Sequence, residues 1–167
     1  MKKFLFVLAV VFGLSTTAMA QQKGDAFIGG AIGFSAGTDS ATSFGLAVEG
    51  GGFVANRLAL SGEVAYNLVA GEINVITVGP KLSYYARLAD KFYYTPGVSV
   101  VGAYVNVGGA DTGNIGVGLD LAAFEFRPTQ HFGMKVNLFS MSAMFNNGFS
   151  FSADMMMNTS VSFRYYF

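Results

Sequence analysis

Apolar and polar residues alternate with a period of two along most of the chain, and the last segment shows it most plainly. Met155, Met157, Thr159, Val161, Phe163, Tyr165 and Phe167 interleave with Asp154, Met156, Asn158, Ser160, Ser162, Arg164 and Tyr166. Successive side chains of a strand point to opposite faces, so this pattern predicts a strand between two different environments rather than a helix. Upstream, Leu58, Leu60, Gly62, Val64, Tyr66 and Leu68 alternate with Ala59, Ser61, Glu63, Ala65, Asn67 and Val69. The same division separates Ile76, Val78, Pro80, Leu82, Tyr84, Ala86 and Leu88 from Thr77, Gly79, Lys81, Ser83, Tyr85 and Arg87. It recurs around Phe44–Val48, Ile28–Phe34, Val117–Leu121 and Phe132–Leu138. Turn-forming residues part these runs at 37–40, 55–57, 70–72, 89–91, 108–113, 128–131 and 146–148. Seven such connections predict eight strands.

Two stretches compete with that reading. Phe92 to Ala110 carries no charge and is long enough for a transmembrane helix. Pro96, its glycines and its Val and Tyr content favour a strand instead. Pro80 has no N–H for a ladder, which suggests a bulge. The first twenty residues fit a secretory signal: a basic Met1-Lys2-Lys3, an apolar Phe4 to Leu14, and Ala18-Met19-Ala20 as the small-x-small cleavage site. Cleavage after Ala20 leaves residues 21–167 as one domain with 8 basic and 10 acidic groups. No Cys follows that could take a lipid anchor.

Composition then decides which face meets what. Only 12% of the residues are charged, against about 25% in an ordinary soluble domain. The polar faces are too poor in charge to solvate the whole outside of a soluble barrel. Gly, Ala and Ser fill them instead, which suits the narrow lumen of eight strands, while the aromatic face suits lipid with girdles at strand ends. A closed barrel also pairs every backbone group in the bilayer. The expected fold is therefore all-β: an eight-stranded antiparallel up-and-down transmembrane β-barrel. A soluble barrel is the alternative, which solubility without detergent would establish. Balanced charge gives no basic field for nucleic acid, and the absence of Cys excludes disulfides and thiolate metal sites.

The terminal Phe163-Arg164-Tyr165-Tyr166-Phe167 resembles the C-terminal signature of bacterial outer-membrane barrels. The segments Phe53 to Leu60 and Val78 to Tyr85 are similar to hairpins of small eight-stranded proteins of the OmpA/OmpX-like β-barrel type. The resemblance spans the mature chain as pattern, and no peptidoglycan-binding domain follows. It implies residence in the outer membrane of a Gram-negative bacterium, in contact with outer-membrane lipid. It also implies that Phe163, Tyr165 and Phe167 are read by the barrel-assembly machinery during insertion.

Barrel parity, with a periplasmic N-terminus, puts the connections near 37–42, 70–73, 106–113 and 146–150 outside. Those near 55–57, 89–91 and 128–131 face the periplasm. Seven charges point inward by this register: Glu49, Glu63, Lys81, Arg87, Asp120, Lys135 and Arg164. Pairing Val54 with Leu58 sets Glu49 opposite Glu63, two carboxylates that need intervening cations. The expectation is a lumenal ion-pair cluster centred on those two, plugging the barrel; scattered charges bridged by water are the alternative.

Catalytic motifs are sparse. His131 is the one histidine, on a periplasmic turn away from the outer leaflet, so a lipid-modifying enzyme is a lesser alternative. The Glu49/Glu63 pair could suggest a glycosidase, but its lumen is too narrow for sugar. Gly116-x-Gly118 continues into Leu121 where a dinucleotide loop needs glycine. Asp39 and Asp111 lack acidic neighbours for a divalent cation, Met155 to Met157 alternates faces, and Asn158-Thr159-Ser160 matches a glycosylation sequon within a membrane strand. The expected protein is a monomer of structural or surface-interaction type, without catalytic residues, cofactor or metal. A narrow pore or conduit for small hydrophobic molecules is the first alternative, which the inward charges oppose.

Overall fold

The computed structural model describes residues 22–35, 42–69, 73–145 and 149–167. Its strands are β1 (Ala26–Ser35), β2 (Ser43–Ala55), β3 (Leu58–Val69), β4 (Ile73–Tyr84) and β5 (Ala86–Ala89). They continue with β6 (Phe92–Tyr94), β7 (Gly97–Val107), β8 (Ala110–Phe126), β9 (Phe132–Phe145) and β10 (Phe149–Tyr166). All pair antiparallel, and the order β1–β2–β3–β4–β7–β8–β9–β10 closes by pairing β10 with β1. That ring has the eight expected staves. β5 and β6 form a short hairpin that extends the staves of β4 and β7, with β6 joined to β8. The breaks at Tyr85 and Thr95-Pro96 keep their hydrogen bonds: Tyr85 N donates to Arg57 O (2.7 Å) and Thr95 N to Ala123 O (2.7 Å). Among the described residues no helix is long and apolar enough to cross a membrane, so Phe92–Ala110 is strand, not helix.

Alternation sorts the side chains. Ile32, Val48, Val64, Val78 and Ile115 stand outward and exposed, as a lipid-facing band requires. Such a contiguous apolar surface is untenable in water for a monomer. Aromatic residues collect at the N- and C-terminal end of the barrel, where Phe92 stacks on Phe124 and Phe132 on Phe163. Inside, Phe27, Phe53, Ala59, Tyr85, Tyr93 and Tyr166 form a buried cluster at that same end. It is the floor of the lumen.

Several local expectations change. The β2–β3 hairpin pairs Ala55 with Leu58, and a bulge at Val54 restores the register in which Glu49 faces Glu63. Ala110 to Gly113 belongs to β8, so the connection from β7 is only Gly108-Gly109, both with positive φ. Pro80 makes no bulge: the β4–β7 register is unchanged across Gly79-Pro80, although neither residue is paired with β7. Real bulges lie in β8 between Asp120 and Ala123 and in β10 between Met155 and Ser160.

The signal segment with Ala18 and Ala20, the connections at 37–40, 70–72 and 146–148, and the side chains of Met155 to Met157 lie outside the described residues.

Candidate functional site

The lumen is built row by row. Antiparallel pairing sets Glu63 of β3 opposite Glu49 of β2, Glu49 opposite Gly29 of β1, Gly29 opposite Arg164 of β10, and Arg164 opposite Gly133 of β9. The glycines are what let the large side chains lie across the barrel. A Cβ on Gly29 would sit 2.8 Å from Arg164 Cγ, and one on Gly133 would sit 2.7 Å from Glu125 Oε1. Arg164 thus extends over Gly29 to reach Glu49, rather than pointing along its own strand.

All three guanidinium nitrogens donate. Nη2 and Nε donate to Glu49 Oε2 (2.5 and 3.1 Å), and Nη1 donates to Glu125 Oε2 (2.9 Å) and to the Tyr85 hydroxyl (2.5 Å). The second oxygens are taken too: Ser61 Oγ donates to Glu49 Oε1 (2.6 Å) and the Tyr166 hydroxyl to Glu125 Oε1 (2.5 Å). Arg164 is 2% exposed and Glu125 0%. Buried charge is tolerable only when paired and fully hydrogen-bonded, and every carboxylate oxygen here has a donor. Below, Arg127 lies 3.7 Å over the Tyr166 ring and Arg164 4.9 Å over the Phe27 ring, so two cations rest on the aromatic floor.

Farther out a second, looser group forms. Asp120 pairs closely with Lys81, stands 3.6 Å from Lys135, and accepts a hydrogen bond from Asn137 Nδ2 (2.8 Å). Between these groups and the outer ends of the strands lies a cavity of about 280 Å³, lined among others by Glu63, Asn67, Lys81, Lys135, Asn137 and Arg164.

The seven sequence-predicted lumen charges therefore divide. Glu49 and Arg164 meet in the plug, and Lys81, Lys135 and Asp120 meet above it. Glu63 lines the cavity without an ion pair or hydrogen bond to any described residue, so the plug centres on Arg164 rather than on the two glutamates. Arg87 is a correction. It lies past the floor, half exposed on β5, and pairs with Asp90 (2.8 Å) instead of entering the lumen.

Glu125 joins the plug from outside the seven inward charges that the alternation predicts. Parity carried on from Leu119 and Leu121 points it at lipid, and the bulge after Asp120 turns it inward. A signal was present: the apolar series shifts from Leu119 and Leu121 to Phe124 and Phe126, which marks an extra residue between them. Phe163, Tyr165 and Phe167 all stand outward and exposed at the terminal girdle. His131 Nδ1 lies in hydrogen-bond contact with the Tyr166 carbonyl (2.9 Å), and its ring stacks on Tyr165. Among the described residues no group of three or more acidic, His or Cys side chains could hold a metal.

No family model matches the chain, and no curated protein matches it. Solved structures do. Neisserial surface protein A is 14% identical, with a TM-score of 0.56, over 84% of this chain and 95% of that one. The Yersinia pestis outer membrane protein Ail is 10% identical, with a TM-score of 0.51, over 85% and 99%. At such identity the likeness concerns the fold, which is that of the small eight-stranded outer-membrane barrels. Outer-membrane residence follows from that fold together with the apolar outer band.

Proposed function

We propose that this protein is a monomeric, non-catalytic outer-membrane barrel of structural or surface-interaction type, its lumen shut at the periplasmic end. The observation that carries the reading is the Arg164 plug: a guanidinium tied to Glu49 and Glu125 across the barrel, above a floor of packed aromatic rings. Opening a water path through it would require breaking two buried ion pairs and parting Phe53 from Tyr85, whose rings meet edge-on at 5.0 Å. His131 is engaged structurally, its Nδ1 in hydrogen-bond contact with the Tyr166 carbonyl and its ring stacked on Tyr165. In this reading outer-membrane lipid surrounds the band, and the assembly machinery reads Phe163, Tyr165 and Phe167 before closure.

One observation favours a conduit. A side cavity of about 130 Å³ reaches the wall at Val78 and Gly79, beside the two residues of β4 that lack pairing with β7. Against it, Gly79 lies so near the Val100 carbonyl that a Cβ there would overlap it. β4 and β7 therefore stay in close contact at Gly79 although the ladder skips it.

Planar-bilayer recording tests the reading, using refolded protein whose gel mobility changes on boiling. Silence is expected from verified barrels. Steady conductance would overturn the closed lumen and favour a small pore.

A further inference from the structure

A turn position that needs a left-handed backbone is ordinarily filled by Gly or Asn, because a larger side chain is strained there. The turn between β7 and β8 follows that rule, with Gly108 and Gly109 at φ 57° and 89°. The opposite end of the barrel does not. Arg57, in the β2–β3 turn, stands at φ 66° and Lys91, in the β5–β6 turn, at φ 61°. Among the described residues these are the two non-glycines with positive φ, and both are cations at the same end. Turn geometry alone favours another residue at each.

The two belong to one arc of the rim. Arg57 O accepts from Tyr85 N (2.7 Å), which leads into β5 and Arg87, and Lys91 O accepts from Arg127 N (2.8 Å). Against these four cations the arc sets Asp90, while Glu125 is held in the plug. Asp90 is taken by Arg87 (2.8 Å), and Arg127 is buried over the Tyr166 ring. Arg57, exposed, and Lys91, half-buried, form no ion pair with a described residue. Lys23 adjoins the arc, its N–H on Asn56 Oδ1 (3.2 Å). Two more negative charges share this end. Asp25 accepts from Gln22 N (3.1 Å), and the main-chain carboxylate at Phe167 lies at the β1–β10 seam, where Phe167 N donates to Ala26 O (2.9 Å). The excess of positive charge therefore falls between Arg57 and Lys91.

The arc also has a defined depth. Arg57 precedes Leu58, which pairs with Tyr84, and Lys91 precedes Phe92, which stacks on Phe124. Tyr84 and Phe92 stand outward, 45% and 37% exposed. Aromatic girdles sit at the level of lipid headgroups, so both cations stand where phosphates lie. We propose that the rim from the β2–β3 turn to the β5–β6 turn is a docking surface for anionic phospholipid headgroups of the inner leaflet, held by Arg57 and Lys91. The surface rests on the proposed orientation, with the aromatic floor toward the periplasm, and not on the lumen being closed. The β7–β8 hairpin beyond Tyr104 carries Asp111 and no cation, which makes it the internal control.

The test is amide chemical-shift mapping on ¹⁵N-labelled protein in phosphatidylcholine nanodiscs, with the share of phosphatidylglycerol raised at constant ionic strength. Saturating shifts are expected at Asn56, Arg57, Lys91 and Phe92, and none at Gly108 to Asp111. Arg57→Asn combined with Lys91→Asn removes both charges with a residue that tolerates positive φ. That variant, checked for heat-modifiable mobility, should lose about fivefold in phosphatidylglycerol preference for each cation removed. Shifts that do not saturate, that are equal at both ends, or that persist in the double variant would each overturn the surface. The same shifts from inorganic phosphate in pure phosphatidylcholine discs would also overturn it, by assigning the arc to a free anion. If the double variant does not refold, the location and saturation of the parent's shifts decide alone. Both faces of a nanodisc carry the same lipid, so orientation in the cell does not enter. Conductance of the same preparation keeps the readings apart: current with the preference intact refutes the plug and supports the surface, whereas silence without the preference refutes the surface alone.

Discussion

In the inner half of the lumen, Arg164, Glu125 and Glu49 are 2%, 0% and 7% exposed and every carboxylate oxygen has a donor. In the outer half, the side chains of Lys81 and Asp120 each keep 14% exposure and border an open cavity, while Lys135 beside them is buried at 4%. Both halves come from the same period-two pattern and carry similar charge. They differ in what flanks the charges. Inside, glycines on β1 and β9 clear space on either side of Arg164 and aromatic rings close beneath it. Outside, Asn67, Asn137 and Ser162 leave room for water. An ion pair locks a barrel only where packing has already removed the solvent.

The largest expected effect of breaking that contrast is at Arg164. Arg164→Met leaves Glu49 and Glu125 buried without a counter-charge, and removing one partner of such a pair costs about 3–5 kcal/mol. The urea midpoint of the folded gel band should fall accordingly. Lys81→Met should lose less, because Lys135 stays 3.6 Å from Asp120 and leaves that carboxylate a counter-charge. Equal losses would erase the distinction between the two halves.

Next in size is the space beside the plug. A Cβ on Gly133 would come within 2.7 Å of Glu125 Oε1 and 3.1 Å of the Tyr166 ring, whereas one on Gly62, on the lipid face, would meet nothing within 4 Å. Gly133→Val should therefore destabilise by about 1–3 kcal/mol through overpacking, and Gly62→Ala by no more than about 0.5 kcal/mol. A Gly133→Val barrel as urea-resistant as the parent would mean that the plug has slack the packing denies.

Much of this architecture is legible in the sequence. Period two gives the staves, and a hairpin centred near Asn56 gives the opposition of Glu49 and Glu63. What parity cannot see is an added residue. The bulge after Asp120 moves Glu125 from lipid to lumen, so the second carboxylate of the plug is hidden from any count that assumes an unbroken strand. Tyr85 and Tyr166 fall on the inward face by parity, yet nothing in the alternation says that their hydroxyls meet Arg164 and Glu125. Those contacts join strands far apart in sequence and depend on how the ring closes.

Arg87 marks the other failure of parity, and it yields the smallest expected effect. The period that makes Lys81 and Tyr85 inward makes Arg87 inward too, but β5 has passed the aromatic floor by then. Beyond the floor there is no lumen to point into, and the guanidinium turns to Asp90 three residues on, with side-chain exposures of 46% and 67%. A pair so wet is screened by solvent and by salt, and its worth is about 0.2–1 kcal/mol at most. Arg87→Ala should shift the urea midpoint by no more than that, and the shift should vanish in high salt. Arg164→Met should keep most of its effect under the same salt, because Arg164 is 2% exposed and its two carboxylate partners are buried with it. If salt instead flattened both, Arg164 would be solvated, and the division between a dry inner half and a wet outer half would fail at its strongest point.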